Sequence, residues 1–450
     1  MNKKKNIGIW GFGVVGRSAA RYFSAQGFSV QIFEPSWTPL EKKKRTDQKP
    51  QTSFTSNLED FLQNNDKILP SPGIDLRPYK KYQHKWITEV DIIEKNFKKP
   101  IVAITGTVGK TSVTHLLSDL LKKNGLKVWT GGNIGVGMLD LLLQKKKIDL
   151  AILELSSFQL EQSKKFAPDL AIWTNFSENH LDRHGTIQQY FAAKRKIFEQ
   201  QKKGQYSILP LSIKGKLEDF QFLSTSLFFS SDYLTEQEPV MRHVKTLFQF
   251  LPPSTFFENR LIVSLAAHVI SKKLDKKIMN PIKSRQLEHR LEKVGEINGT
   301  TFFNDSKSTT PASTLAALQK LSDKPVFLFL GGLDKGINRT PLFDSLEKNI
   351  KKLFLFGKQA QELAIIAKKK KHKFEVFYNL DSAFAACLKH IKPGDTVLFS
   401  PAGSSFDLFK NYKERGNYFK KLIKKALRHA PCAATTNLNN SSTNRHSNST

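Results

Sequence analysis

The chain is 450 residues long, 39% hydrophobic, and has a formal net charge of +31. This length predicts roughly three domains, since single domains typically hold about 100–200 residues. The two cysteines, Cys387 and Cys432, are far apart in sequence, which excludes a disulfide framework and a cysteine-based metal site. Lysine-rich runs such as Lys42–Arg45, Lys368–Lys371 and Lys420–Lys425 lack the interleaved aromatic residues of a nucleic-acid platform. We therefore expect a solvated basic surface and no nucleic-acid partner.

The first segment predicts a strand, a glycine-rich turn and a helix. Asn6–Trp10 is the expected strand, Gly11-Phe-Gly-Val-Val-Gly16 the turn, and Arg17–Gly27 the helix. A second strand, Ser29–Glu34, ends in an acid, as in folds that bind a pyrophosphate at the turn and a ribose hydroxyl at the acid. NAD, FAD, a UDP-linked ligand and a turn without ligand all stay open. The glycines also interrupt the apolar run, so we expect no signal peptide and no membrane insertion. A cytoplasmic location follows by default, and we also expect a monomer.

At Ile68-Leu-Pro-Ser-Pro-Gly73 a predicted strand ends in a proline-containing turn that we expect to face a ligand. The next motif is a phosphate loop, Ile101-Val-Ala-Ile-Thr-Gly-Thr-Val-Gly-Lys-Thr-Ser112. Apolar residues at helical spacing follow from Lys110 to Asn124. Backbone N–H groups of such a turn cradle phosphate, with Lys110 on the outer phosphates and the Thr111 hydroxyl on Mg²⁺. Position 104 is isoleucine where the full Walker spacing has glycine, so the loop is a shortened variant. The motif predicts use of ATP or GTP.

Two further β-rich runs, Ile148–Leu153 and Leu170–Trp173, each end in a polar cluster. Ligands of open α/β sheets collect at the carboxyl ends of strands, where both clusters fall. The candidate metal or phosphate residues are Glu154, His180 and Asp182.

The remaining chain alternates predicted strands and helices, again typical of a parallel α/β sheet. We expect an α/β protein of three domains: a Rossmann-like domain at 1–98, a central P-loop ATPase-type parallel sheet at 99–284, and a Rossmann-like α/β domain at 285–430. Residues 431–450 are mostly Thr, Asn and Ser, which predicts a disordered polar tail.

Six motifs between about Ile7 and Leu427 resemble one enzyme family, the Mur ligases. They are Gly106-Thr-Val-Gly-Lys-Thr111, Glu154-Leu-Ser-Ser157, Asn179-His-Leu-Asp-Arg183, His289-Arg290, Asn304-Asp-Ser-Lys307 and Gly331-Gly-Leu-Asp-Lys-Gly336. Mur ligases are ATP-dependent amide-forming enzymes of peptidoglycan precursor synthesis. Gly11–Gly16, Ser71–Gly73 and Ser400–Gly416 are most similar to the member that adds D-glutamate to UDP-N-acetylmuramoyl-L-alanine.

The resemblance implies that ATP converts the substrate carboxylate to an acyl phosphate, which the amine of D-glutamate then attacks. It implies two Mg²⁺ ions, with Thr111, Glu154 and His180 as ligands, and catalytic roles for Lys110, Lys194 and His180. It further implies that Lys194 is carbamylated, whereas composition alone predicts a surface lysine.

The resemblance also assigns three groups of binding residues. Those for ATP are Gly106, Thr107, Gly109, Lys110, Thr111, Asn259, Arg290 and Asp305. Those for the UDP-sugar are Gly13, Val14, Val15, Glu34, Ser71, Pro72, Gly73, Asn133, Ser157 and Gln159. Those for D-glutamate are Lys307, Thr309, Lys335, Ser405 and Phe406.

Two departures from the family pattern leave alternatives open. Val108 stands where the family often has asparagine, and Phe256–Ile262 keeps only Asn259 of the family's Gly-x-His-Asn-x-x-Asn helix start. The alternatives are another Mur or folylpolyglutamate-type ligase, and a nucleotide-binding relative that has lost activity. The Asp-Asn-Pro-Arg motif of the diamino-acid ligase does not occur in the chain.

Overall fold

The computed structural model describes residues 6–36, 52–230, 238–252, 256–282 and 287–429. They form a mixed α/β fold with three mostly parallel sheets, which confirms the α/β part of the predicted fold class. The chain divides into two compact units, residues 1–287 with 335–338, and residues 288–334 with the chain from 339 onward. The run Lys42–Arg45, the expected boundary at 284/285 and the tail at 431–450 lie outside the described residues. Within those ranges, none of the helices combines the length and apolar character needed to cross a bilayer.

The first sheet contains four parallel strands in the order β3-β2-β1-β4. Its strands are β1 (Asn6–Trp10), β2 (Ser29–Phe33), β3 (Thr52–Thr55) and β4 (Lys67–Pro70); its helices are Val14–Ala25, Leu58–Asn64 and Glu89–Asn96, with a 3₁₀ helix at Arg77–Lys85. The first helix therefore begins at Val14, inside the glycine motif, and not at Arg17 as predicted. Gly11 completes the turn with a φ of 88°, and a Cβ on Gly16 would lie 2.0 Å from the Gly11 oxygen, so this glycine permits the early start.

The second sheet contains six parallel strands in the order β10-β9-β8-β5-β7-β6. They are β5 (Ile101–Thr105), β6 (Val128–Gly132), β7 (Leu150–Glu154), β8 (Leu170–Trp173), β9 (Tyr206–Pro210) and β10 (Thr225–Phe229). The helices are Lys110–Lys123, Ser157–Glu161, Leu181–His184, Ile187–Arg195, Glu238–Gln249 and Phe257–Leu274, with 3₁₀ helices at Met138–Leu143 and Leu211–Leu217. Every residue of β5, β7 and β8 is buried, as expected for central strands covered on both faces.

The third sheet lies in the second compact unit and has the order β11-β12-β16-β13-β14-β15. Its strands are β11 (Glu292–Ile297), β12 (Thr300–Asn304), β13 (Val326–Gly331), β14 (Ile350–Phe356), β15 (Phe374–Phe377) and β16 (Thr396–Phe399). Its helices are Pro311–Gln319, Thr340–Asp344, Ala360–Lys369, Leu380–Leu388 and Tyr412–His429. The sheet is not wholly parallel as predicted, because β11 and β12 form an antiparallel hairpin closed at Asn298 and Gly299, both of which have positive φ.

Candidate nucleotide and substrate site

Three neighbouring strands of the second sheet, β8, β5 and β7, bring the predicted polar clusters together at one edge. Ile104 lies opposite Glu154 on one side, and Thr105 lies opposite Trp173 on the other. The glycine loop after β5, the carboxylate at the end of β7 and the polar segment after β8 are therefore adjacent. This is the edge at which open α/β sheets bind ligands.

The loop after β5 has a geometry that requires glycine at two positions. Gly106 and Gly109 have φ angles of 141° and 85°. A Cβ on Gly106 would lie 2.0 Å from the Thr174 hydroxyl oxygen, and one on Gly109 would lie 2.9 Å from Oδ1 of Asn259. The retained Asn259 of the altered helix start is thus packed against the loop. Both glycines are needed for conformation and for space.

The segment after β8 clamps this loop through side-chain hydrogen bonds. The Thr174 hydroxyl donates to the Val108 oxygen at 2.6 Å, and Oδ1 of Asn175 accepts from the Val108 N–H at 2.9 Å. The Thr107 hydroxyl donates to the Ser177 oxygen at 3.1 Å. The sequence analysis did not identify Thr174, although its position directly after a predicted buried strand could have indicated it. These hydrogen bonds fix the backbone of the loop whose N–H groups are predicted to bind phosphate.

Two lysines converge on one carbonyl oxygen of the loop. Nζ of Lys110 donates to the Gly106 oxygen at 2.7 Å, and Nζ of Lys194 donates to the same oxygen at 2.9 Å. Lys194 is only 1% exposed, so the surface position predicted from composition is wrong. Burial, reinforced by the charge of Lys110, holds the pKa of Lys194 well below its usual range. A neutral amine at this position is the nucleophilic form that carbamylation requires.

Glu154 and His180 have environments that suit a cation site. Oε1 of Glu154 accepts from the Asn133 side chain at 3.1 Å, while the buried Oε2 has no hydrogen-bond partner in the described part of the chain. Burial, together with the nearby charges of Lys335 and Lys110, lowers the pKa of His180 to about 2. The imidazole is therefore neutral, as a metal ligand must be.

Glu154 and Thr111 fit a magnesium ion through their side-chain oxygen atoms. Magnesium prefers oxygen ligands and usually keeps water or substrate phosphate among them, so an unpaired carboxylate oxygen at the phosphate loop is a suitable donor. The Thr111 hydroxyl lies on a buried residue in the first turn of the helix that follows the loop. Among the described residues, no group of three or more His, Cys, Asp or Glu side chains could by itself hold a metal. The predicted metal ligands stay a prediction.

The predicted UDP-sugar residues of the first sheet lie at two adjoining turns. The Ser71 N–H donates to the Trp10 oxygen at 2.8 Å, and a Cβ on Gly11 would lie 2.7 Å from the Ser71 hydroxyl oxygen. Ser71, Pro72 and Gly73 are thereby joined to the turn that holds Gly13, Val14 and Val15. Oε2 of Glu34 accepts from the Phe12 N–H at 2.7 Å, so this acid closes the glycine turn; its ribose contact stays a prediction.

The other predicted UDP-sugar residues follow β6 and β7. The Asn133 N–H donates to the backbone carbonyl oxygen of Glu154 at 2.9 Å, and the Ser157 hydroxyl lies 2.9 Å from Nε2 of His184. Gln159 completes the capping box of the helix Ser157–Glu161 by accepting from the Ser156 N–H. Gln159 also lines a cleft with Ser71 and Pro72. Two residues that the sequence analysis did not assign, Glu89 and Arg183, line this cleft as well.

Glu89 gives the fold a pH dependence. Burial raises the pKa of its carboxyl group to about 8, from an ordinary value of 4.5. Between these values the folded state binds more protons than the unfolded state, so the Glu89 contribution to stability is complete below about pH 4.5 and is lost as the pH rises toward about 8. We expect Glu89→Gln to become the more stable variant, relative to the unmodified protein, as the pH rises. Urea unfolding of both proteins at about pH 5 and about pH 8 measures this; parallel curves would contradict it.

The second compact unit contains the two remaining ATP candidates: Arg290 lies just before β11, and Asp305 follows β12, whose last residue pairs with the first residue of β11. Oδ1 of Asp305 accepts from the Leu291 N–H at 3.0 Å, and Oδ2 accepts from the Ser400 hydroxyl at 2.7 Å. Burial raises the pKa of Asp305 to about 6. Nε of Arg290 is buried and has no hydrogen-bond partner among the described residues. The positive charge of Arg290 acts on Asp305 and opposes the rise of its pKa. Contact of either residue with ATP stays a prediction.

The D-glutamate candidates belong to both compact units. Nζ of Lys307 lies 5.3 Å from the centre of the Tyr412 ring. Ser405 is buried and Phe406 is 70% exposed, beside Ser404, which pairs with Leu333 in an antiparallel bridge. These residues and Thr309 belong to the second unit, whereas Lys335 belongs to the first. The fully buried Arg415, which donates to the Gly403 oxygen at 2.9 Å, holds the loop before Ser405 and was missed in the sequence.

The sheets and the glycine loop place the protein in the class of α/β proteins with a shortened phosphate loop. Comparison with known proteins identifies the family within this class. A family model of the Mur ligase middle domain matches residues 104–225, and one of the Mur ligase glutamate ligase domain matches residues 289–403. UDP-N-acetylmuramoylalanine--D-glutamate ligase of Thermoanaerobacter sp. (strain X514) is 33% identical over 448 residues, covering 94% of this chain and 98% of the relative. The enzyme of the same name from Geotalea uraniireducens (strain Rf4) is 31% identical with the same coverage. The chain belongs to the Mur ligase family, which confirms the resemblance.

Solved structures give the same fold at low sequence identity. MurF from Acinetobacter baumannii has a TM-score of 0.59 at 16% identity, covering 95% of this chain and 92% of that chain. MurF ligase from Thermotoga maritima in complex with ADP has a TM-score of 0.57 at 14% identity, covering 94% of this chain and 96% of that chain. At such identities the likeness concerns the fold alone.

Proposed function

We propose that this protein is an ATP-dependent ligase that joins D-glutamate to UDP-N-acetylmuramoyl-L-alanine in peptidoglycan precursor synthesis. Relatives that share 31–33% identity along 94% of the chain carry this activity in their names. The structural observation that carries the proposal is the convergence of Lys110 and Lys194 on the Gly106 oxygen, one strand away from the unpaired carboxylate oxygen of Glu154. A site of this kind suits the transfer of a phosphoryl group between anionic reactants.

In the proposed reaction, the carboxylate of the alanyl group attacks the γ-phosphorus of ATP, and ADP leaves. The amine of D-glutamate then attacks the acyl carbon, loses a proton, and displaces phosphate to form the amide. The clamped glycine loop offers backbone N–H groups to the phosphates, and Lys110 offsets the negative charge that accumulates during transfer. Neutral His180 can accept a hydrogen bond or ligate a cation without adding charge repulsion.

Two cofactor features belong to the proposal. Mg²⁺ held through Thr111 and Glu154 would supply positive charge to the phosphoryl oxygens when bound. Carbamylation of Lys194 would convert a buried neutral amine into a carbamate anion, which gives a cation site a further oxygen ligand. The low pKa of Lys194 and the unpaired oxygen of Glu154 support both features.

We also propose the finer organisation that the family implies. The three sheets would correspond to three domains, a Rossmann-like UDP-sugar domain at 1–98, a P-loop ATPase-type domain at 99–284, and a Rossmann-like domain for the amino acid at 285–430. The protein would act as a cytoplasmic monomer on small-molecule substrates. The separate sheets and the two family-model matches support this division.

Lys335 gives a prediction about the amino-acid substrate. Lys335→Ala should raise the KM for D-glutamate by about 10-fold or more, since a hydrogen bond to a charged group contributes about 1.5–3 kcal/mol. The KM for ATP should change far less. The matched control is Lys348→Ala, which removes an exposed lysine from the loop before β14. Equal changes in both KM values would contradict the assignment of Lys335 to D-glutamate.

The proposed function is tested by phosphate release from ATP in the presence of UDP-N-acetylmuramoyl-L-alanine and a panel of amino acids. We expect release only when both substrates are present and fastest with D-glutamate. A faster rate with L-glutamate, alanine or a diamino acid would indicate another ligase of the family. No release with any amino acid would favour a relative that has lost activity.

A further inference from the structure

A basic cavity lies beside β6, the outer strand of the second sheet, and apart from the loops of the proposed reaction. It has a volume of about 480 Å³, which is within the usual range of ligand sites. Its lining includes Lys127 and Val128 at the start of β6 and Ile148 just before β7. The glycine loop and the polar clusters follow the opposite, carboxyl ends of the strands. The cavity is therefore a separate place in the first compact unit, for which the proposed reaction has no role.

Four exposed lysines in the lining give this cavity an excess of positive charge. They are Lys122, Lys127, Lys146 and Lys147. Within the described ranges, none of their ammonium groups forms an ion pair, and the lining contains no acid. The acid that adjoins it in sequence, Asp149, is engaged by the backbone, because its Oδ2 accepts from the Lys127 N–H at 2.8 Å. A concave surface lined by one sign of charge concentrates ions of the opposite sign, so the cavity favours an anionic ligand.

The backbone of β6 is open to a further strand on the side away from β7. The carbonyl oxygen of Lys127 accepts from the Asp149 N–H at 2.9 Å, so the backbone groups of Lys127 face β7. Backbone groups of successive strand residues point to alternate sides, so those of Val128 and Thr130 point outward. The outer side is closed at the end of the strand, where the Gly132 N–H donates at 2.7 Å to a carbonyl oxygen of the loop that follows. Residues 128–130 therefore form a short free edge, which we call the β6 edge.

The side chains of β6 add apolar contact area beside this edge. A Cβ on Gly131 would lie 2.1 Å from Cη2 of Trp129, so the indole ring lies along the strand over this glycine. Val128 and Trp129 are half-buried and lie on opposite faces of the strand. The lining contains one aromatic residue, whereas surfaces that bind single-stranded nucleic acid stack successive bases on several. An unpaired strand backbone with apolar side chains on both faces is typical of sites that bind a peptide as an added strand.

We propose that the β6 edge binds an extended acidic segment of a partner protein as an additional strand. The outward N–H and C=O groups of Val128 and Thr130 pair with the backbone of the segment, and the four lysines face its carboxylates. A small anion would neutralise the lysines but leave the strand backbone unpaired, so the combination favours a peptide. The inference does not depend on the proposed ligase reaction. Lysines can also prevent an edge strand from pairing with other copies of a chain, and the experiment below separates the two roles.

The test measures binding of a fluorescent peptide of alternating glutamate and valine residues to the full-length protein by anisotropy. We expect saturable binding that weakens as salt is added. The double variant Lys127→Glu/Lys146→Glu should weaken it by about 10-fold or more, because both charges then repel the peptide. Thr130→Pro should have a similar effect, since proline removes the outward N–H and is tolerated in edge strands. The matched control, Lys202→Glu/Lys203→Glu, makes the same change of charge in the exposed loop before β9 and should bind as the unmodified protein does.

The same peptide with methyl groups on alternate backbone nitrogens tests strand pairing without any change to the protein, and it decides the matter if Thr130→Pro does not fold. It keeps every charge but cannot form the added ladder, so we expect binding weaker by about 10-fold or more. Equal binding of the two peptides would overturn the proposal, because charge alone would then explain the affinity. Tighter binding of a single-stranded oligouridylate would overturn it in favour of nucleic acid. If the unmodified protein did not bind the peptide and the lysine variant self-associated in sedimentation, the lysines would serve only to protect the edge.

Discussion

Lys110→Ala is expected to lower kcat by at least about 10²-fold while the protein keeps its fold, as is typical when one preorganised donor to a transition-state charge is removed. Nζ of Lys110 lies over the glycine loop, 2.7 Å from the Gly106 oxygen and 3.1 Å from the Thr107 oxygen. In the proposed reaction, Lys110 at this position would meet the oxygens of the transferring phosphoryl group as their charge redistributes. Because this interaction strengthens in the transition state, kcat and kcat/KM should fall together.

The fold should tolerate the loss of Lys110 for an identifiable reason. The Gly106 oxygen still accepts from Nζ of Lys194 at 2.9 Å, so the carbonyl is not left without a partner. The matched control is Lys122→Ala, which removes an exposed lysine from the last turn of the same helix. Thermal unfolding and steady-state kinetics of the two variants give the comparison. A well-folded Lys110→Ala protein with near-normal turnover would mean that the loop does not act on phosphate.

Lys194→Ala is expected to shift the Mg²⁺ titration of activity to higher concentrations, with an apparent affinity lowered by at least the roughly 10–100-fold that loss of an outer-shell partner costs a metal site. The physical reason is that a carbamate on Lys194 would be an anionic ligand, which alanine cannot replace. The amine is buried and hydrogen-bonded to the Gly106 oxygen, and burial holds its pKa well below its usual range, which favours the neutral form that reacts with carbon dioxide. Titration of activity with Mg²⁺ measures the effect.

Carbamylation of Lys194 can also be measured directly by NMR. Protein equilibrated with ¹³C-bicarbonate should give a carbamate signal by ¹³C NMR that is absent from Lys194→Ala. Lys203→Ala, which removes an exposed lysine of the following loop, should retain both the signal and the Mg²⁺ dependence. If Lys194→Ala kept the carbamate signal, the modification would lie on another lysine and the assignment to Lys194 would be wrong.

Much of the site could be predicted because local patterns encode it. The run Ile101–Thr105 is a fully buried strand, and the glycines that follow it adopt the positive φ angles that the motif requires. The rule that ligands collect at the carboxyl ends of parallel strands also placed Glu154 beside the loop, since β7 and β5 are paired. These features depend on neighbours in sequence or on strand order, which periodicity and motifs report.

The features that were wrong or missed depend on contacts distant in sequence. Lys194 has the composition of a surface residue, and its burial becomes visible only when its helix packs against the glycine loop 88 residues earlier. Thr174 and Arg415 act through hydrogen bonds to backbone oxygens of other segments, at Val108 and Gly403.

The most direct test of the central claim follows an oxygen label through the reaction. UDP-N-acetylmuramoyl-L-alanine labelled with ¹⁸O in the alanyl carboxylate is incubated with ATP, Mg²⁺ and D-glutamate, and the released phosphate is analysed by mass spectrometry. An acyl phosphate predicts that each amide formed transfers one ¹⁸O atom to phosphate, and that L-glutamate does not substitute. Phosphate released without ¹⁸O while ATP is consumed would contradict carboxylate activation and with it the proposed function.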